Sequence, residues 1–279
     1  MTSSDRSERR ANTFRVISLL PSRSRPWARR FLGPCWGKIW LFTWKGRLQW
    51  WKLARNRRLR HLLHKRNAVK VTLGAGTATL PGWIDTDYRP LSNRTLYLDV
   101  TKRFPFADES VDYFHTEHMI EHLSLSSSQF LLRECYRTLK PGGKIRIATP
   151  DITRINQILI DPNDTETAEY IKWALAHVPP DAEPGTDLTP CMVFNNFMRN
   201  WGHQFIYDGT TLTALLNKAG FVSVRRSEVN TSEDRNFIGL ENRHLAIGEK
   251  ANNFETMVFE ATKTRQTGAI QQRAENLLT

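Results

Sequence analysis

Between His115 and His122 the sequence reads His-Thr-Glu-His-Met-Ile-Glu-His, three histidines and two glutamates in eight residues. An imidazole titrating near neutrality can take the proton from a hydroxyl as that oxygen attacks an electrophile. A carboxylate beside it can fix the ring tautomer and hold the imidazolium that forms. His118 is the first candidate for such a base, with His122 and the more distant His203 behind it. His118 and His122 also have the i,i+4 spacing of two metal ligands on a helix. No third ligand is evident in the neighbouring sequence, so no metal is expected.

A second group of residues is suited to holding a ligand. Val71-Thr-Leu-Gly-Ala-Gly runs from an apolar stretch into Gly74-Ala75-Gly76. Two glycines let the backbone turn sharply and lie against a ligand with no Cβ in the way. Trp83-Ile84-Asp85-Thr86-Asp87 then reads as a strand ending in a carboxylate, placed as in sheets where such an acid accepts from ribose hydroxyls. Asp87 ends the run and is the first choice, with Asp85 the alternate. The step from Gly74 to Asp87 is short, so the helix expected between them must be stunted or replaced by a loop. Asp99 follows another short apolar run, Leu96-Tyr97-Leu98.

These residues need a frame, and the pattern from residue 67 onward supplies one. Apolar runs at 68–73, 83–87, 95–98, 111–115 and 144–148 read as strands. Helical periodicity appears at 126–139, 152–160, 165–177 and 209–219. Alternation of this kind marks a parallel α/β sheet with helices on both faces. Pro141-Gly142-Gly143 reads as the close of a helix before a strand. Two late runs, 222–228 and 256–261, read as closing strands, with a polar loop over 230–253. Extra sequence at 161–205, carrying Trp173, Phe194, Phe197 and Trp201, is placed to cover the acceptor side.

In this order, LGAGT, PGWIDTD, LDVTKRFPFADESVDYF, EHMIEHL and ECYRTLKPGGKIRIATPD resemble the class I, type 11 methyltransferases. Within that family the likeness is to a subgroup with a Pro-Gly-Trp-Ile-Asn-x-Asp segment, Asp85 standing where Asn is usual. The resemblance covers roughly residues 68–262. It implies a Rossmann-like sheet of seven strands, mostly parallel with the last antiparallel, and S-adenosyl-L-methionine as cofactor. It places Gly74, Ala75 and Gly76 against the methionine part, Asp87 on the ribose, and Asp99 with Val100 at the adenine. His115 and Thr116 would flank the sulfonium and the acceptor. The third glycine often found in the first loop is Ala78 here. The Asn/Asp-Pro-Pro-Tyr/Phe turn of enzymes that modify amino nitrogens is absent, which favours a hydroxyl or carboxylate acceptor on a sugar, glycolipid or other small molecule.

Charge divides the chain. Of 279 residues with net charge +12, residues 1–67 hold 18 basic and two acidic ones, a net +16, while the rest hold 22 and 26, a net −4. Residues 1–66 therefore read as a basic, Trp-rich, partly helical extension, 67–262 as the catalytic domain, and 263–279 as a tail. Trp36, Trp40 and Trp44 recur on one side of a helix. Such an arm over residues 14–66 suits an anionic membrane surface or packing on its own domain; a nucleic acid is the weaker fit, since tracking phosphates does not need so many tryptophans. Charges and glycines interrupt Phe31–Trp51, so it is not expected to span a bilayer. Cys35, Cys135 and Cys191 are too scattered for a disulfide framework or a zinc site, which points to a reducing, cytoplasmic compartment. A secretory signal fits poorly, whereas the lack of acids between Glu8 and Asp85 leaves a transit peptide open.

Overall fold

The computed structural model describes residues 46, 49–51, 53–59, 61–63, 67–177 and 189–265. The expected stripe of Trp36, Trp40 and Trp44 and the tail beyond residue 265 lie outside these residues. The chain divides into two units, 1–57 and 58–279. In the first, the described residues are helical. Among the described residues no helix is long and apolar enough to cross a membrane.

The second unit is built on seven strands: β1 Lys70–Leu73, β2 Ile84–Asp87, β3 Leu96–Tyr97, β4 Val111–Glu117, β5 Leu139–Pro150, β6 Phe221–Ser227 and β7 Thr256–Lys263. Their order in the sheet is β3-β2-β1-β4-β5-β7-β6. The pairs from β3 to β5 are parallel, and β7 runs antiparallel to both β5 and β6. The expected sheet is therefore present, with one strand reversed. The order turns back between β1 and β4, so their carboxyl ends open a crevice where ligands bind in open α/β sheets.

Local sequence sets the helices. Ser124, Asp151, Asp164 and Asp208 each accept from a backbone amide at the start of α1 Leu125–Thr138, α2 Ile152–Ile160, α3 Thr165–Leu175 and α5 Gly209–Lys218. Between α3 and α5 lies α4 Pro190–Arg199, and α6 Glu249–Glu255 precedes β7. Neither was legible as a helix. Residues 139–143 extend β5 rather than closing the preceding helix, and the short first crossover is a loop with no helix in it.

Two apolar clusters follow. The main one joins Val71, Leu73, Phe114, Leu131, Leu132, Ile145 and Leu212 across the sheet and its helices. A second joins Ile155, Ile158, Tyr170, Val193, Phe197 and Phe254 from α2, α3, α4 and α6, so these four helices form a cap with a core of its own.

The opposite face of β4 is covered by the segment expected to be a polar loop. Phe237 and Leu240 pack with Leu80 and Trp83 there, and Arg146 is wholly buried between Glu241 and Glu260, at 2.7 and 2.6 Å. Arg146 also donates to the carbonyls of Glu228 and Thr231, so the guanidinium ties the segment to the sheet. Burial pushes the Glu241 carboxyl up, but the hydrogen bonds and charge of Arg146, with a lesser pull from His115, bring it down to about 2. A carboxyl lowered by folding stabilises the protein above its unfolded value and loses that contribution as pH falls through the folded one. Glu241→Gln should therefore lower unfolding stability at neutral pH by about 3 kcal/mol or more. It should also flatten the loss of stability between about pH 4.5 and 2, as followed by urea denaturation across that range.

Candidate active site

The first loop takes its shape from Asp87. One carboxylate oxygen accepts from the Gly76 amide at 2.9 Å and the other from the Arg89 amide at 2.6 Å. Ala75 N–H donates to the Thr86 carbonyl and Ala78 N–H to the Ala75 carbonyl, closing a turn where a helix would otherwise begin. Gly74 and Gly76 have φ of +70° and +57°. A Cβ on Gly76 would meet nothing within 4 Å, whereas one on Gly74 would fall 2.4 Å from Cγ of Met119. The second glycine thus opens onto space a ligand can occupy, and the first is needed because Met119 lies against it.

Asp99 stands on the neighbouring strand end. The backbone links it to Asp87 through the Leu98 amide, which donates to the Asp87 carbonyl at 2.9 Å. Asp99 Oδ1 accepts from the amide and hydroxyl of Thr101. Its Oδ2 makes no hydrogen bond among the described residues, and Val100 packs against the main core. Asp85 is buried under the first crossover, where it faces the Leu80 amide at 3.4 Å. Asp87, not Asp85, is therefore the acid at the rim.

His115 and Thr116 are placed differently from the expectation. Strand alternation turns His115 to the covered face of β4, where it is 2% exposed, lies edge-on to Trp83 and stands 3.5 Å from Glu241. Thr116 faces the main core and is 1% exposed. Neither side chain reaches the crevice. The residues that do come after the strand, where the chain reverses at His118 with φ of +46°.

That reversal separates the histidines. The i,i+4 relation of His118 and His122 assumed a helix, but only a single 3-10 turn forms, at Ile120–His122. His118 is nearly buried, with Nε2 2.9 Å from the Thr256 hydroxyl and Nδ1 3.3 Å from Glu121 Oε1. Both nitrogens are occupied by protein, so His118 positions Glu121 rather than facing an acceptor. His122 is 37% exposed and turns toward His203, ring centroids 5.1 Å apart.

His203, 81 residues further on, reaches the site through backbone. The Gln204 and Phe205 amides donate to the Glu121 carbonyl at 2.8 and 3.2 Å, and Gln204 Nε2 donates to the His122 carbonyl. Trp201 and Gly202, both with positive φ, swing the chain so that the His203 ring points inward. Its Nδ1 bonds the Phe197 carbonyl at 2.7 Å, which fixes that nitrogen as the donor and leaves Nε2 with its lone pair free. Burial lowers the His203 pKa, only partly offset by the Phe197 carbonyl, so the ring is neutral near pH 7. Sequence gave no sign of this pairing, because it depends on a strand-like clip between segments far apart in the chain.

Glu121 is the buried member. Its Oε2 accepts from the Thr149 hydroxyl at 3.1 Å, and its Oε1 lies 3.3 Å from His118 Nδ1. Burial pushes this carboxyl up, but the facing His118 and the adjacent His122 outweigh it and hold it below its ordinary range. Glu121, His122 and His203 bring one donor atom each within 4.8 Å of one another. Trp201, 49% exposed, stands edge-on to His203.

Residues 86–147 match the family model of a methyltransferase domain. Among solved structures, the chain is similar to a SAM-dependent methyltransferase from Archaeoglobus fulgidus, at 17% identity over 76% of this chain and 94% of that one, with a TM-score of 0.41. It is also similar to a chain from the complex of the Haloferax volcanii Trm112 methyltransferase activator with a putative methyltransferase, at 14% identity over 79% and 95%, TM-score 0.41. A third is Haemonchus contortus phosphoethanolamine N-methyltransferase 2, at 14% over 76% and 53%, TM-score 0.40. No curated protein matches the sequence.

The sheet order is that of the Rossmann-like methyltransferase fold, and residues 86–147 within it match a methyltransferase domain. The matched segment is a methyltransferase domain, and the methyl donor is S-adenosylmethionine. The residues present fit that cofactor: open space at Gly76, a carboxylate already turned to the rim at Asp87, and an uncommitted acceptor at Asp99 Oδ2. When bound, it supplies a methyl group on a sulfonium, open to in-line displacement. Gly74→Ala adds both the contact with Met119 and the strain of a left-handed backbone. It should weaken cofactor binding about tenfold or more. In calorimetry, adding Met119→Ala should recover only part of the loss, because the backbone strain remains.

Proposed function

We propose that this enzyme transfers the methyl group to a hydroxyl or carboxylate oxygen of a small-molecule acceptor, of the sugar or glycolipid class. The observation that carries this reading is the single residue joining the two halves of the site. Met119 packs on Gly74 of the cofactor loop, and the chain continues within two residues to Glu121 and with His122 to the cluster. An acceptor oxygen held by the cluster is thus beside the loop that holds the methyl donor. Positioning in line with the breaking C–S bond supplies most of the acceleration, and the free His203 nitrogen eases loss of the acceptor proton. Trp201 offers an apolar plate against which a ring-shaped acceptor can lie.

We propose further that the basic arm, residues 14–66, lies on an anionic membrane surface. Trp50 and Leu53 are 66% and 71% exposed on its helical part, amid the +16 charge of the N-terminal segment. Its tryptophans suit the headgroup level and its arginines the phosphates.

Incubation with methyl-labelled cofactor and a fractionated cell extract tests the acceptor class. Label should enter a carbohydrate, lipid or small-molecule fraction; entry into RNA would overturn the reading. Asp87→Ala should weaken cofactor binding about tenfold. His203→Gln should keep cofactor affinity but cut kcat/KM about 100-fold. For the arm, the protein should sediment with vesicles containing anionic lipid and not with neutral ones. Tight, salt-sensitive binding to RNA without lipid would refute the membrane assignment.

A further inference from the structure

The cluster at the acceptor side has features that proton transfer alone does not require. Glu121 is completely buried, and its Oε1 lies 3.3 Å from His118 Nδ1 and 3.9 Å from His122 Nε2, with a His203 nitrogen within 4.8 Å of the group. Buried charges are normally paired or bound to metal. Each of the two less exposed groups is also anchored through its far side. Thr149 holds Glu121 Oε2, and the Phe197 carbonyl holds His203 Nδ1, so Oε1 and Nε2 are the atoms presented. Support of this kind, from a hydroxyl or carbonyl behind the donor, is how proteins orient metal ligands.

We infer that Glu121, His122 and His203 bind one divalent first-row transition-metal ion. Two imidazoles and one carboxylate with an open side suit zinc, iron, cobalt or manganese rather than calcium or magnesium. Bonds of about 2.1 Å put neighbouring ligand atoms roughly 3 to 3.4 Å apart. The three donor atoms lie within 4.8 Å, and His122 Nε2 is 3.9 Å from Glu121 Oε1. His122, 37% exposed, is the ligand with room to move closer. His118 Nδ1, 3.3 Å from the same Oε1, steadies the carboxylate as a positioning residue.

This inference deepens the acceptor-site reading and rests on it. An acceptor hydroxyl on the open side of the ion would have its pKa lowered, and its proton would leave to water. The oxygen would then be the nucleophile, forming the O–CH3 bond as the S–CH3 bond breaks and its electron pair returns to sulfur. The imidazoles would act as ligands, so His203 would ease loss of the acceptor proton through the ion rather than by taking the proton itself, and the acceptor class of the reading is unchanged.

The test uses full-length protein stripped with a chelator and titrated with Co2+ alone, followed by calorimetry and by the visible absorption of the bound ion. One ion per chain should bind, and His122→Gln and His203→Gln should each weaken uptake about tenfold or more. His177→Gln, on an exposed histidine outside the cluster, should leave it unchanged. If His203→Gln unfolds in circular dichroism, His122→Gln decides, since its side chain is partly in solvent. Absence of stoichiometric uptake, or uptake indifferent to both variants, would overturn the site. Cofactor binding measured on the same stripped protein keeps the two readings apart: it should persist without the ion and be lost only with the Asp87 site.

Discussion

The reversal of the chain at His118 is the constraint on which the site depends. A strand leaving the sheet at Glu117 would otherwise continue outward or enter a helix, and its side chains would fan apart. One left-handed residue folds the backbone back over the end of β4 instead. Its amide is secured on the Ala148 carbonyl of β5. A non-glycine residue held there costs about 1 kcal/mol or more, and such positions persist where surrounding structure over-determines them. Thr256 on one side and Glu121 on the other hold the His118 ring, so the strain is spread over three elements. The result is that Met119 turns to the cofactor loop while Glu121 and His122 turn to the cap.

The sheet was legible because its signals are local. Apart from Thr72 and Arg146, Val71 to Leu73 and Ile145 to Ala148 are apolar residues, and both runs are buried on both faces, as parallel strands require. Asp151, Asp164 and Asp208 announce their helices with one side chain each. Position alone favours Asp87 over Asp85; Asp87 bonds the Gly76 amide of the loop, and Asp85 is buried. What failed to show was set by distant contacts. Residues 230–253 look polar because Glu241 and Arg243 are charged, yet Glu241 is buried by Arg146, nearly a hundred residues away. Likewise α4 is held by its contacts with α2 and the cap core rather than by capping, since Thr189 makes no capping bond.

The histidines show the same limit at closer range. Their spacing suggested an i,i+4 geometry that does not form, because that rule describes an α-helix and the chain makes a tighter turn. A histidine candidate named from type alone could not reveal which nitrogen is free. That property belongs to the Thr256 hydroxyl and the Phe197 carbonyl, groups with no sequence signature of their own.

The Asp87 carboxylate has one further consequence. Because both oxygens already grip backbone amides, the glycine loop is held in its curved form before any nucleoside arrives. Little conformational entropy remains to be lost when the ligand docks, so recognition there is closer to a rigid fit than to folding around a guest. The mould is cast with the protein itself.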